Sequence, residues 1–359
     1  MNRSFVRTVL SLAVVVAAFG VLGCSKPQAR NETVAEVNGD AIKMAELQDF
    51  LGGRGGMTAV AGVAPEQKKD ALDRLIAGRL LAQEARSQGL DNTDEFRNFM
   101  KKSEQSAMIT ALFRKEVASR GTVSKDDIQA EAKKMKAADN TLSDNNANVQ
   151  AQRSVYEAKI RKIQQDLIAA AKKEIPYEIV QPMVNRIVQG EKIPDDAVLG
   201  TAAGDNVTYG FVRAQLEQSA GGMPGEKDIV RHPVAINRVL TRELTGRSLA
   251  AYAKKQGIEG TEWIEASRAD IERSILIELL AAKVIEKGVR ATDKEVETYF
   301  KEHPEMFVQH GKTVPFRMIK EQLRGFLENE KRNSAMNAYI GELRNKAKIT
   351  VNEKVLGDV

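Results

Sequence analysis

The sequence LDRLIAGRLLAQEARSQGL, residues 72–90, decides how the rest of the chain is interpreted. Its apolar residues recur at spacings of three and four, which places them on one face of an amphipathic helix. Gly89 follows the last turn, where a left-handed residue commonly ends a helix, and Arg86 lies where a cation interacts favourably with the helix dipole. The stretch is therefore predicted to be a helix that packs on a core.

The same stretch returns 168 residues later as LTRELTGRSLAAYAKKQGI, residues 240–258, with nine of nineteen positions identical. The identical pairs include Gly78 with Gly246 and Arg79 with Arg247. The same offset continues downstream without a gap, where Leu112, for example, matches Leu280. A match of this length predicts an internal duplication, so the chain is interpreted as two copies of one module.

The first residues have the pattern of an export signal. Residues 1–23 contain a positive start with Arg3 and Arg7, followed by an apolar segment too short for a comfortable membrane span. They end in Val21-Leu22-Gly23-Cys24, which resembles the lipobox of bacterial lipoproteins. The resemblance implies that Cys24, the only cysteine, is lipidated and anchors the protein to a membrane, facing the periplasm. An ordinary signal peptide with a chance cysteine is the alternative.

The composition of the 359 residues is that of a soluble globular protein, with 42% hydrophobic and 29% charged residues. The net charge of +5 is modest and dispersed, which argues against a nucleic-acid partner. A polar tether at 24–33 is expected to precede two lobes, at 34–190 and 200–359. Each lobe is expected to be mainly α with small β pieces, because helical patterns dominate and only short strand patterns occur.

Four stretches resemble one family of exported proteins. They are VAEVNGDAIKMAELQDFL (residues 34–51), the stretch that begins at Leu72, VSKDDIQA (residues 123–130), and a closing helix and strand within residues 315–351. Together they resemble the N-terminal chaperone module and closing helix of SurA and PrsA-like proteins, which are exported chaperones and parvulin-type peptidyl-prolyl isomerases. The resemblance implies two tandem SurA-like helical lobes that bind unfolded or partly folded exported proteins without ATP.

The places where that family often carries a parvulin domain are 137–150 and 303–313 here, and both are predicted to be only loops. Isomerase activity is therefore not expected, although a diverged isomerase remains an alternative. A second alternative is an envelope lipoprotein that assembles with one specific partner. The three histidines, His232, His303 and His310, have no metal-ligand spacing, and no phosphate loop or nucleophile motif occurs. No catalytic residue, metal or other cofactor is predicted.

Methionines spread over both lobes suit adaptable binding, because their side chains are flexible and polarizable. Met57 and Met223 are the predicted client-binding residues, since both lie in paired Gly-rich loops. The two lobes are expected to hold clients in an apolar groove between them. Each closing helix is expected to pack on the N-terminal helices of its own copy.

Overall fold

The computed structural model describes residues 31–52, 63–220, 229–285, 289–309 and 312–357. It is mainly α-helical with small antiparallel sheets, as predicted. The helices are α1 (Met44–Gly52), α2 (Pro65–Ser87), α3 (Asp94–Arg120), α4 (Lys125–Ala138), α5 (Asp144–Glu174), α6 (Gln181–Val188), α7 (Tyr209–Ala220), α8 (Pro233–Lys255), α9 (Glu262–Ile285), α10 (Asp293–Glu302), α11 (Phe316–Lys346) and α12 (Glu353–Gly357). None of the helices in these ranges combines the length and apolar character that a membrane crossing requires.

Eight short strands form three antiparallel sheets in the described ranges. The strands are β1 (Thr33–Val37), β2 (Asp40–Lys43), β3 (Tyr177–Ile179), β4 (Val198–Ala202), β5 (Asp205–Thr208), β6 (Val308–Gln309), β7 (Lys312–Thr313) and β8 (Ile349–Val351). The sheet orders are β2–β1–β8, β3–β4–β5 and the pair β6–β7. The first two sheets combine a hairpin with a strand from the other half of the chain.

The chain folds into two compact units that we call the terminal unit and the central unit. The terminal unit contains the described residues through Met100 and from Asp270 onward, and the central unit contains Lys101–Ala269. The sequential lobes expected at 34–190 and 200–359 therefore do not coincide with the compact units. Each unit takes its hairpin and first helices from one half of the chain and its closing helix from the other half.

The closing helices were expected to pack within their own half, and this prediction is wrong. In the terminal unit, Leu343 of α11 packs on the core that includes Leu72 and Ile76 of α2, and β8 pairs with β1. In the central unit, Ile163 and Leu167 of α5 pack with Ala253 of α8, and β3 pairs with β4. Both closing helices contain 31 residues. Periodicity identifies the apolar face of such a helix but not the partner that covers it.

Local signals in the repeated stretch are confirmed. Gly89 and Gly257 both have a φ of +71°, so each supplies the left-handed residue that follows its helix. Arg79 donates to the carbonyl of Ala41, and Arg247 donates to the carbonyl of Asn206. Each arginine therefore fastens its helix to the adjacent β-hairpin, which gives the repeated Gly-Arg pair a structural role.

The predicted loop at 137–150 is shorter than expected because α5 begins at Asp144. The hydroxyl of Ser143 accepts a hydrogen bond from the backbone N–H of Asn146 and caps this helix. Ala147 and Ala151 are then fully buried. Capping and alanine burial outweigh the weak helix propensity of the Asn/Asp-rich sequence.

Candidate functional site

Each unit carries a helical arm formed by the first turns of its closing helix and the short helix before it. In the terminal unit this arm comprises α10, a 3-10 turn at Pro304–Phe307, the β6–β7 pair and the first turns of α11. We call it the aromatic arm. In the central unit the arm comprises α4 and the first turns of α5, which we call the alanine arm.

The aromatic arm begins with a capping box. The backbone N–H of Glu295 donates to the Thr292 hydroxyl, and the Glu295 carboxylate accepts from the Thr292 N–H at 2.7 Å. Lys331 of α11 also bonds the Glu295 carboxylate, at 2.6 Å. These contacts connect the start of α10 to α11.

The same contacts shift the pKa of Glu295. The Lys331 ammonium, followed by the two hydrogen bonds from Thr292, stabilises the ionised carboxylate and lowers the pKa from 4.5 to about 2. Arg324 adds a second connection between α10 and α11, because it bonds the Ala291 carbonyl at 2.6 Å and pairs with Asp293. The arm is therefore held by ionic contacts along its outer side.

Its inner side is an aromatic cluster on a small core of Ala291, Val296 and Leu323. The Phe300 ring lies 4.9 Å from the Phe307 ring and 5.2 Å from the Phe316 ring, measured between centroids. The distances are typical of favourable aromatic pairs. Three large rings therefore fill the space between α10, the 3-10 turn and α11.

Tyr299 extends this cluster towards the surface. Its ring lies 5.7 Å from Phe326 and 4.3 Å from His303, and its hydroxyl contacts the Met306 sulfur at 3.6 Å. Met318 lies two turns before Phe326 and therefore on the same face of α11. A continuous series of side chains thus connects Met306 with the outer face of α11.

Much of this apolar surface is exposed. The exposed fractions are 58% for Met306, 49% for Val308, 72% for Met318 and 43% for Phe326. Single exposed apolar residues are ordinary, whereas a grouped set next to half-buried aromatic rings is typical of a binding surface. We call this surface the aromatic tip; it comprises Tyr299, Phe300, His303, Met306, Phe307, Val308, Phe316, Met318 and Phe326.

The alanine arm has the same elements but a different interior. Its core is Ala132, Ala147 and Ala151, with Ile128, Met135 and Leu142 packed against it. When the two 31-residue closing helices are aligned from their first residues, Ala151 stands where α11 has Leu323, and Asn146 stands where α11 has Met318. Small residues let α4 and α5 approach closely, so this arm contains no aromatic cluster.

The residues predicted as sites from the sequence, Cys24, Met57 and Met223, lie outside the described residues. Sequence reasoning did not single out the aromatic tip, although its two methionines, Met306 and Met318, belong to the set spread over both halves of the chain. One signal could have found it. Five aromatic residues fall within residues 299–326 of a chain that is only 5% aromatic.

The two described histidines lie at a helix start and in an aromatic cluster. His232 precedes the first turn of α8, and His303 packs on Tyr299 with its Nδ1 3.6 Å from Glu305. Across the described ranges, no three His, Cys, Asp or Glu side chains are grouped so that they could hold a metal ion. At the two places where a parvulin domain was considered, the described chain has the α4–α5 connection and the short β6–β7 pair.

A known family model matches the N-terminal part of the chain. Residues 1–104 match the family model of the SurA-like N-terminal domain. In the structure, the described part of that match covers β1, β2, α1, α2 and the beginning of α3. No curated protein and no solved structure matches the chain. The match supports a SurA-like family and is consistent with a chaperone-like function in the periplasm.

Proposed function

We propose that this protein is an ATP-independent chaperone that holds unfolded or partly folded exported proteins at the aromatic tip. The observation that carries the proposal is the exposure of Met306, Val308, Met318 and Phe326 beside an aromatic cluster. An unfolded client exposes apolar side chains, and covering such surface contributes roughly 25 cal/mol per Å². Methionine suits this task, because its flexible thioether adapts to different partners.

The proposal includes an arrangement of the chain and a location. The chain would be a duplicated SurA-like module, supported by the 168-residue repeat and by the matching order of β-hairpin and helices in its two halves. Cys24 would carry lipid and hold the protein at the periplasmic face of a membrane. A Cys24→Ala variant should then leave the membrane fraction, whereas wild type that never sediments with membranes would contradict the anchor.

The function is tested by light scattering of a thermally unfolded exported protein with and without the mature chain. Wild type should suppress aggregation at near-stoichiometric amounts. The double variant Met306→Asp/Met318→Asp should lose most of this suppression, because carboxylates at the tip disfavour apolar clients. A Met57→Asp/Met223→Asp variant tests, in the same assay, the residues chosen from the sequence.

The matched control is Ala138→Asp/Asn146→Asp on the alanine arm. Both positions are exposed, and the control adds the same charge without changing the aromatic tip. It should suppress aggregation as well as wild type does. If wild type suppresses no aggregation over a range of soluble and outer-membrane clients, the holding function is excluded, and assembly with a single partner becomes the better proposal.

A further inference from the structure

The exposed face of α8 in the central unit forms a second surface with the properties of a binding site. An open concavity of about 740 Å³ lies along this face from Pro233 to Leu249. The lining residues recur at helical spacing and are Pro233, Val234, Asn237, Arg238, Thr241, Arg242, Thr245, Gly246 and Leu249. The face therefore combines apolar ends, a glycine and two arginines.

The two arginines have no ionic partner in the described part of the chain. Arg238 and Arg242 are exposed and one helical turn apart, and neither forms an ion pair or hydrogen bond there. Most other described arginines form such contacts. Arg247, on a different side of the same helix, donates hydrogen bonds to the Glu243 carboxylate and to the Asn206 carbonyl. Two unpaired guanidinium groups beside a concavity favour a ligand that carries carboxylates.

The equivalent face of α2 in the terminal unit is in contact with other side chains of that unit. A Cβ atom at Gly78 would lie 3.7 Å from the Cδ1 atom of Ile277, whereas a Cβ at Gly246 would have no described atom within 4 Å outside the backbone of its own helix. Asp73 of α2 accepts a hydrogen bond from Arg344 of α11 at 3.1 Å, and Thr241 replaces that aspartate on α8. Within the described ranges, the α8 face thus lacks the covering side chains that its counterpart has.

We propose that this face of α8 binds an extended client segment in which two acidic side chains lie between two apolar ones, all on one side of the segment. Gly246 with Leu249 accepts one apolar side chain, Arg242 and Arg238 bind two carboxylates, and Val234, which is 58% exposed, accepts a second apolar side chain. The inference rests on the proposed chaperone function and defines a class of client for it.

The distance between successive residues along this face of α8 matches that between alternate side chains of an extended segment. Successive positions Gly246, Arg242, Arg238 and Val234 are four residues apart, which is about 6 Å along a helix that rises 1.5 Å per residue. Alternate residues of an extended chain point to the same side and are about 6.6 Å apart. The matching sequence is therefore apolar-x-acidic-x-acidic-x-apolar. Since this pattern is the same in both directions, it does not require one chain polarity.

The test measures fluorescence anisotropy of a labelled peptide with the core Leu-Thr-Glu-Thr-Glu-Thr-Leu and the mature full-length protein. A peptide of the same composition with the core Leu-Glu-Thr-Thr-Thr-Glu-Leu, which puts the carboxylates out of register, serves as the peptide control. The first peptide should bind on the order of tenfold more tightly, and its binding should weaken with added salt because the arginines are exposed. Equal binding of the two peptides would overturn the spacing argument.

Two variants locate the site on α8. Arg238→Glu/Arg242→Glu should reduce binding by at least about tenfold, since two attractive charge pairs become repulsive. Gly246→Leu should also reduce it, because the new side chain occupies the apolar position, and its Cβ has no described atom within 4 Å outside the backbone of its own helix. The matched controls are Lys133→Glu/Lys173→Glu, at two exposed lysines of the central unit, and Gly341→Leu, at a helical glycine with equally open surroundings. Both controls should bind like wild type.

The outcomes separate this inference from the proposed function. Wild type that suppresses aggregation but does not bind the Leu-Thr-Glu-Thr-Glu-Thr-Leu peptide would overturn the α8 site and leave the chaperone function intact. Loss of binding in the control variants as well would also overturn the assignment to α8. Vesicles of phosphatidylglycerol test an acidic lipid as the occupant: arginine-dependent vesicle binding without peptide binding would contradict a client segment.

Discussion

The two helical arms share their order of elements, but they differ in the size of the residues at their centres. Leu323 and Phe300 form the interior of the aromatic arm, and Ala151 and Ala132 stand at the equivalent positions of the alanine arm. Large side chains keep α10 and α11 apart and leave rings and methionines half-exposed, whereas alanines let α4 and α5 pack closely. The same backbone plan therefore yields a closed arm in one unit and an apolar surface in the other.

A second difference concerns the faces of the central helices α2 and α8. The face of α2 has partners from its own unit in Ile277 and Arg344, while the face of α8 is open and bears two arginines without partners among the described residues. Thus each unit has one covered surface and one exposed surface, at different places. This comparison shows how similar halves can supply different binding surfaces.

Deletion of residues 315–359 should have the largest effect. It tests whether the closing helix α11 packs on the first half of the chain or on the second. The deletion removes α11 and β8, so β1 keeps β2 but loses its pairing with β8, and α2 loses the contacts of Leu343 and Arg344. Hydrogen exchange, measured by mass spectrometry, should show loss of protection in β1 and α2 and retained protection in α8. Loss in α8 with retained protection in α2 would contradict the exchange of closing helices.

The substitution Leu323→Ala tests the comparison of the two arms. It places alanine in the aromatic arm at the position where the alanine arm has Ala151. It should destabilise the aromatic arm by about 2 to 3 kcal/mol, since a buried leucine leaves a cavity when it is truncated. Local hydrogen exchange in α10 measures this effect.

The reciprocal change, Ala151→Leu, controls for position. It should destabilise the alanine arm by about 1 to 3 kcal/mol through overpacking, because Ala151 is fully buried between small neighbours. If both substitutions leave local exchange unchanged, residue size at this position does not determine the structure of the arms.

Glu295→Gln should have the smallest effect, and it tests the ionic side of the aromatic arm. The folded-state pKa of Glu295, about 2, is below its ordinary value of 4.5, so its stabilising contribution is present above about pH 4.5 and is lost as pH falls towards 2. Wild-type α10 should lose protection across this window more steeply than the variant does. NMR exchange rates at a series of pH values measure it, and identical slopes would contradict the assigned role of Glu295.

The sequence predicted most of the local structure of this chain. The pattern around Leu72 and its repeat correctly predicted two helices with left-handed glycines after them, because caps and periodicity depend on nearby residues. It did not predict which half of the chain covers each closing helix. An apolar stripe such as Ile160, Ile163 and Leu167 identifies the buried face of a helix but not the element that packs on that face. The sequence pattern also does not show which apolar residues of a helix are exposed, and Phe326 of α11 is 43% exposed.

Photo-crosslinking at single positions tests the central claim, that clients bind the aromatic tip, most directly. A benzoylphenylalanine placed at Met318 in the mature chain is compared with one at Asn146, the equivalent position of the alanine arm. Both are exposed positions in the first turn of a 31-residue helix, so reactivity towards solvent is matched. With an unfolded exported client, position 318 should crosslink strongly and position 146 weakly. Equal yields at both positions, or a higher yield at 146, would contradict the account.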